Sequence, residues 1–265
     1  MSGEIKDARS FFKQIKATPD NFCIIHYSCE NLNDENESLS PRITSVAILD
    51  YITAQSTSFS IHSTAELLKI SKEEVQQHLN EIEKQLLTRF YDCIAKNPNK
   101  IFIHWDMQNM YYGFQHLEHR YEILYNQKPP CEIKLNQRVN LKNMLRDKYG
   151  DSFASHPRMK TLMTLNSLDG GEPKNFLEGS KEAEAFRNGE YVKMSSSTLS
   201  KVEFFRQVVE KASKNNLKTS SKNWEVWIEK RCESTGMKIF LILATTIGIP
   251  GSIIALIQYF MKQNP

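Results

Sequence analysis

The chain has 265 residues, 40% of them hydrophobic, and a formal net charge of +3. That supplies apolar material for one large or two small folded domains, while acids and bases too evenly interspersed to form a block exclude a nucleic-acid-binding tail or a polybasic arm. The five cysteines, Cys23, Cys29, Cys93, Cys131 and Cys232, are odd in number and lack the close pairing of a zinc or redox site, which predicts reduced thiols in the cytosol.

In chain order, residues 1–20 form an N-terminal segment without the uninterrupted apolar stretch of a secretory signal, and read as a short surface helix. Residues 22–28 (FCIIHYS) are compact, aromatic and β-branched, as suits a buried strand, and an acidic loop follows. Residues 42–50 and 56–62 read as two further strands joined by a hairpin. Ser71 and Glu74 have the spacing of a capping box, so the first long helix is expected to start at Ser71 and carry Val75, Leu79, Ile82, Leu86, Phe90 and Ile94 on one face. Asn97 and Pro98 stop it before a fourth strand at 100–105. A second helix places Phe114, Leu117, Tyr121 and Leu124 on one face and ends before Pro129-Pro130, and a third spans 141–149, closed by Gly150. Residues 151–189 are broken by glycines and Pro173, with a short helix expected at 181–186. The last helix of the domain is expected at about 198–212, with Val202, Phe205, Val208 and Val209 facing inward. The polar stretch from 213 then reads as a linker and juxtamembrane segment reaching 238 and containing Trp224 and Trp227.

Residues 239–261 are 23 consecutive positions without a charge. As a helix this segment would be about 34 Å long, enough to cross a hydrocarbon core of roughly 30 Å, so a single C-terminal transmembrane helix is expected. Lys230, Arg231 and Lys238 precede it and Lys262 follows, a bias that puts the N-terminal domain in the cytoplasm. Ala244, Gly248 and Ser252 recur every four residues, a row that lets two membrane helices pack closely and predicts a homo-oligomer. Pro250 should kink the helix.

Three strands, a long helix, a strand and a helix, followed by the residues at the strand ends, resemble the ribonuclease H-like fold and within it the DEDD-type 3′-5′ exonucleases, over about residues 20–212. The family ends its first strand in D-x-E; here Ser28-Cys29-Glu30 stands in that place. Its H-N-x-x-F-D motif is similar to residues 104–109, where His104 matches, Asn109 ends the motif, and a carboxylate occurs three positions earlier as Asp106. A later helix should add an acid, Glu182 or Glu184. The resemblance implies an α/β mixed sheet with flanking helices. It also implies Mg²⁺ or Mn²⁺ held by Glu30 and Asp106, a catalytic set completed by Glu184, and His104 orienting an acid or water.

Other arrangements carry weaker signals. His26 and His104 lie on strands expected to be neighbours, fit for metal ligation or for plain burial. His116, His119 and Arg120 stand among aromatics, as in a base-stacking, phosphate-gripping surface or the packed side of an amphipathic helix. No phosphate-cradling glycine loop, G-x-S-x-G elbow or H-E-x-x-H is present. Two functions therefore stay open. One is a membrane-tethered domain that binds, and hydrolyses if the metal site is active, a nucleic acid or nucleotide. The other is a non-enzymatic sensor or effector whose terminal helix assembles in membrane lipid and perturbs it, an architecture that resembles bacterial antiviral effectors. A passive anchor for a scaffold is a third.

Overall fold

The computed structural model describes residues 5, 7–31, 40–108, 111–167 and 173–221. The uncharged stretch 239–261 with Ala244, Gly248 and Ser252, and also Asn109, Trp224, Trp227 and Cys232, lie outside them. Among the described residues no helix is long and apolar enough to cross a membrane.

The elements in order are α1 (Ala8–Ala17), β1 (Phe22–Cys29), β2 (Ile43–Asp50), β3 (Ser56–Ser60), α2 (Ile61–Leu67), α3 (Leu79–Ala95), β4 (Ile101–His104), α4 (Phe114–Tyr125), β5 (Arg138–Asn140), α5 (Leu141–Tyr149), α6 (Arg158–Asn166), α7 (Gly179–Arg187) and α8 (Tyr191–Ser213). The five strands form one sheet in the order β3-β2-β1-β4-β5. β1, β2 and β3 run antiparallel, whereas β4 and β5 run parallel to β1. Every residue of β1 is buried, because helices cover both faces of this central strand.

Alternation along the strands divides the core. Phe22 and Ile24 of β1 and Ile101, Ile103 and Trp105 in and after β4 meet Val202, Phe205 and Val208 of α8, together with α1 and α5. Cys23, Ile25 and Tyr27 point the other way, against Leu86, Phe90 and Ile94 of α3 and Phe114 and Leu117 of α4. A smaller cluster joins Ile61 and Ala65 of α2 to Val75, Leu79, Tyr191 and Met194.

Several expectations change in the folded chain. α1 is no surface appendage: Phe11 is fully buried and meets Phe22 edge-on at 6.0 Å. Residues 56–62 do not continue as a strand, since the Ser60 hydroxyl accepts the N–H of Ser63 and starts α2. Glu74 does reach back to the Ser71 N–H (3.3 Å) and hydroxyl (2.7 Å), yet this forms a turn. Val75 packs onto α2 through a single 3₁₀ turn, and α3 begins only at Leu79. The polar residues after α8 are pinned to the body, with Leu217 in the core, Lys218 N–H on Asn166 Oδ1 (3.0 Å) and Ser220 N–H on Phe153 O (2.9 Å).

Candidate functional site at the ends of β1 and β4

β1 outruns its parallel neighbour. Ile25 is the last β1 residue paired with β4, opposite His104, and the strand continues to Cys29. Beyond the end of β4, Tyr112 lies against β1. Its hydroxyl donates to the carbonyl of Tyr27 at 2.8 Å and lies 3.2 Å from His26 Nδ1, and its ring stacks on Tyr27 with centroids 4.5 Å apart. The Tyr27 hydroxyl takes the N–H of Gly113 (2.7 Å) and lies 3.0 Å from His116 Nδ1. In open α/β sheets ligands enter beyond the carboxyl ends of parallel strands. In this chain aromatic side chains occupy that space.

Asp106 follows β4 with a left-handed backbone, φ +57°, a conformation that Asp tolerates better than most residues. Its carboxylate accepts from Asn140 Nδ2 (3.3 Å) and from the Lys142 ammonium, tying the loop to the β5–α5 junction. Burial works against its ionisation, but the Lys142 and Asn140 bonds outweigh burial and hold its pKa below the usual value. Two residues back, His104 Nδ1 accepts the N–H of Met107 at 3.0 Å, which leaves the proton on Nε2. Burial, and then the charge of Arg138, lower its pKa to about 3, so the ring stays neutral and is a poor proton carrier near neutrality. His26 does not join it. His104 meets Phe114 of α4 at 5.2 Å, whereas His26 meets Phe205 of α8 at 5.5 Å, on the opposite face of the sheet.

Glu30 sits just past β1. Its N–H donates to Arg42 O (3.0 Å), and its carboxylate takes Arg42 Nη1 at 2.8 Å. Arg42 continues to Asn80 Oδ1 (2.6 Å) and lies 3.5 Å from Glu83. Glu83, fully buried, accepts the N–H of Ile43 at 2.8 Å and the guanidinium of Arg120 through both oxygens. Arg120 Nη1 also donates to Ser40 O at 3.0 Å. Arg120 and His116, read in sequence as candidates for a nucleic-acid surface, are thus both buried, with Arg120 held by this network, while His119 is exposed.

The acid supplied by α7 is Glu182, not Glu184. Two residues along a helix turn the side chain about 200°, so only one of the pair can face the sheet. Glu184 is exposed and Glu182 is 1% exposed. Glu182 Oε1 accepts from the hydroxyls of Ser28 (3.0 Å) and Ser197 (2.8 Å) and from the ammonium of Lys201 (2.7 Å). Ser28 lies 2.8 Å from the Thr198 hydroxyl, which reaches Ser45 on β2. The charge of Lys201, after burial itself, helps push His26 well below its usual pKa. This cluster was missed in the sequence. Its signal was Ser197-Thr198-x-x-Lys201, three polar positions on the inward side of an apolar helix, with a serine in each of the two strands beneath.

These placements give Glu30, Asp106 and Glu182 each their own protein partners. Extending the β1/β4 register would set Asp106 opposite Tyr27, three residues short of Glu30, or ~10 Å along the strand. Each carboxylate is paired with a protein cation, Glu30 with Arg42, Asp106 with Lys142 and Glu182 with Lys201. Among the described residues no three His, Cys, Asp or Glu side chains converge as a metal centre. No family model, curated protein or solved structure matches the chain. The arrangement itself can hold strand ends and loops in register through buried charge and hydroxyl networks, and its histidines stay neutral.

Proposed function

We propose that this chain is a non-hydrolytic effector of the ribonuclease H-like class, attached to a membrane by residues 239–261, in which ligand or partner binding at the domain is passed to a helix that assembles in lipid. The mixed five-stranded sheet with flanking helices supports the class, since that is what the resemblance implies. One observation carries the non-hydrolytic part. Among the described residues Glu30 and Asp106, at the ends of β1 and β4, and Glu182, which α7 directs inward, each have a lysine or arginine on them. Two-metal hydrolysis needs such carboxylates free to neutralise divalent cations, and a buried ammonium beside Glu182 opposes a cation there by simple repulsion. Fold alone does not assign the activity, so the test must be chemical.

Purified full-length protein given Mn²⁺ and single-stranded oligonucleotides should show no cleavage above background, and Glu30→Gln should change nothing. Cleavage that depends on Mn²⁺ and disappears in Glu30→Gln or Asp106→Asn would return the chain to the nucleases. In cells, deletion of 239–265 should release the domain from membranes and abolish any membrane depolarisation caused by the intact chain. Depolarisation that survives the deletion would remove the effector reading.

A further inference from the structure

α1 has two unlike faces. Ala8, Phe11, Phe12 and Ile15 enter the core, while Arg9, Lys13 and Lys16, spaced by four and three, share the exposed side. Beside that side lies an open cleft of about 550 Å³, floored by Phe12 and completed by Asp147 and Lys148 of α5 and by Ser213 and Asn215 at the end of α8. The acids here serve the backbone: the Asp7 carboxylate accepts the N–H of Ser10, and Asp147 accepts that of Ala8 at 2.8 Å. Lys148 donates to the carbonyl of Ala212, closing α8, and to Asn215 Oδ1 at 2.7 Å. Among the described residues Arg9, Lys13 and Lys16 enter no ion pair. Burial, and then the charge of Lys16, lower the pKa of Lys148.

The described part of the chain ends beside this cleft. The hydroxyl of Ser221, the last described residue, donates to the carbonyl of Tyr149, next to Lys148 in α5. Residues 222–238 then separate it from the uncharged stretch at 239, and include Lys222, Lys230, Arg231 and Lys238. Seventeen residues span at most ~60 Å, so a membrane holding the tail keeps this end of the domain within that reach of its headgroups.

We propose that the cleft between α1, α5 and the end of α8 is the surface on which the domain rests against anionic phospholipid, with Arg9, Lys13 and Lys16 facing the headgroup phosphates. This rests on the membrane reading of residues 239–261. The occupant follows from complementary charge and from the place where the described part of the chain ends, since anionic lipid attracts basic residues only within about a Debye length of the surface.

The test is lysine acylation of the full-length protein in nanodiscs, read by peptide mass spectrometry. Neutral phosphatidylcholine discs are compared with discs that also contain phosphatidylglycerol. Lys72 serves as the reference, because its turn adjoins the cluster around Tyr191 and Met194, at the opposite end of α8 from the cleft. In anionic discs Lys13 and Lys16 should lose reactivity severalfold, roughly fivefold for each cation engaged, with Lys72 unchanged. Lys16→Glu should restore the reactivity of Lys13. Incorporation into both discs with equal Lys13 and Lys16 reactivity overturns the cleft proposal and leaves the membrane reading intact. Failure to enter either disc overturns both. Protection by an added single-stranded oligonucleotide, without protection by anionic lipid, assigns the cleft to nucleic acid and overturns the lipid surface.

Discussion

Lys201→Met is expected to destabilise the domain by about 3–5 kcal/mol, a large part of the roughly 5–15 kcal/mol that holds a typical domain folded. Lys201 and Glu182 are 5% and 1% exposed, and their ion pair is 2.7 Å long. Removing the ammonium leaves a carboxylate in the interior with only the Ser28 and Ser197 hydroxyls to solvate it. The desolvation cost of that charge, rather than the lost attraction, sets the magnitude. Adding Glu182→Gln should restore most of the loss, because the amide oxygen still accepts from both serines and no net charge is buried. Urea titration of the single and double variants closes the cycle. A cost below about 1 kcal/mol for Lys201→Met, or a double variant no better than the single, would mean that the pair does not organise the junction of β1, α7 and α8.

Acid should unfold the domain well before its carboxylates titrate fully. His26, His104 and His116 are buried, and burial is the first cause that lowers each of them from 6.5, to about 3 for His104, to about 4 for His116 and well down for His26. The folded pKa lies below the unfolded one, so the neutral rings contribute stability that is complete above pH 6.5 and is lost as pH falls towards the folded values. Each group changes the unfolding free energy by ~1.4 kcal/mol per pH unit in that window. His104 and His116 together remove ~4 kcal/mol by pH 5, close to the lower end of total stability, and His26 acts in the same direction. Glu83, raised by burial against the pull of Arg120, acts in the opposite direction. The midpoint of acid unfolding is therefore expected between about pH 4 and 5. Urea denaturation at a series of pH values checks the slope, and a stability unchanged from pH 7 to 5 would show that these rings are not held neutral in the fold.

The central strand was legible because burial on both faces demands an apolar run, and FCIIHYS is one. α3 and α5 were legible from helical periodicity, with the start of α3 misplaced by the tertiary packing of Val75. α8 begins at Tyr191, ahead of the expected 198, because Ser195, Ser196 and Ser197 look like loop residues in a list of letters. In the fold, Ser197 serves Glu182 and the N–H of Leu177, and Ser195 lies 3.3 Å from Ser58. Tertiary partners thus satisfy the hydroxyls that would otherwise favour a turn. β5 escaped notice because Arg138, Val139 and Asn140 show no strand pattern, and they pair only because the edge of β4 is open to them. The four described cysteines are free thiols.

Of the candidate site, the sequence could nominate Glu30, His104, Asp106 and an acid near 182–184, since residue types at strand ends are visible in one dimension. It could not assign their partners. Ser28 and Glu182 are 154 positions apart, and whether a carboxylate meets a metal, a lysine or water depends on which helix face packs onto which strand. Local pattern settles what each segment becomes, because backbone geometry and apolar spacing act within a few residues. Charge pairing is a property of segments distant in sequence, and only their packing brought Lys201, Arg42 and Lys142 onto the three acids.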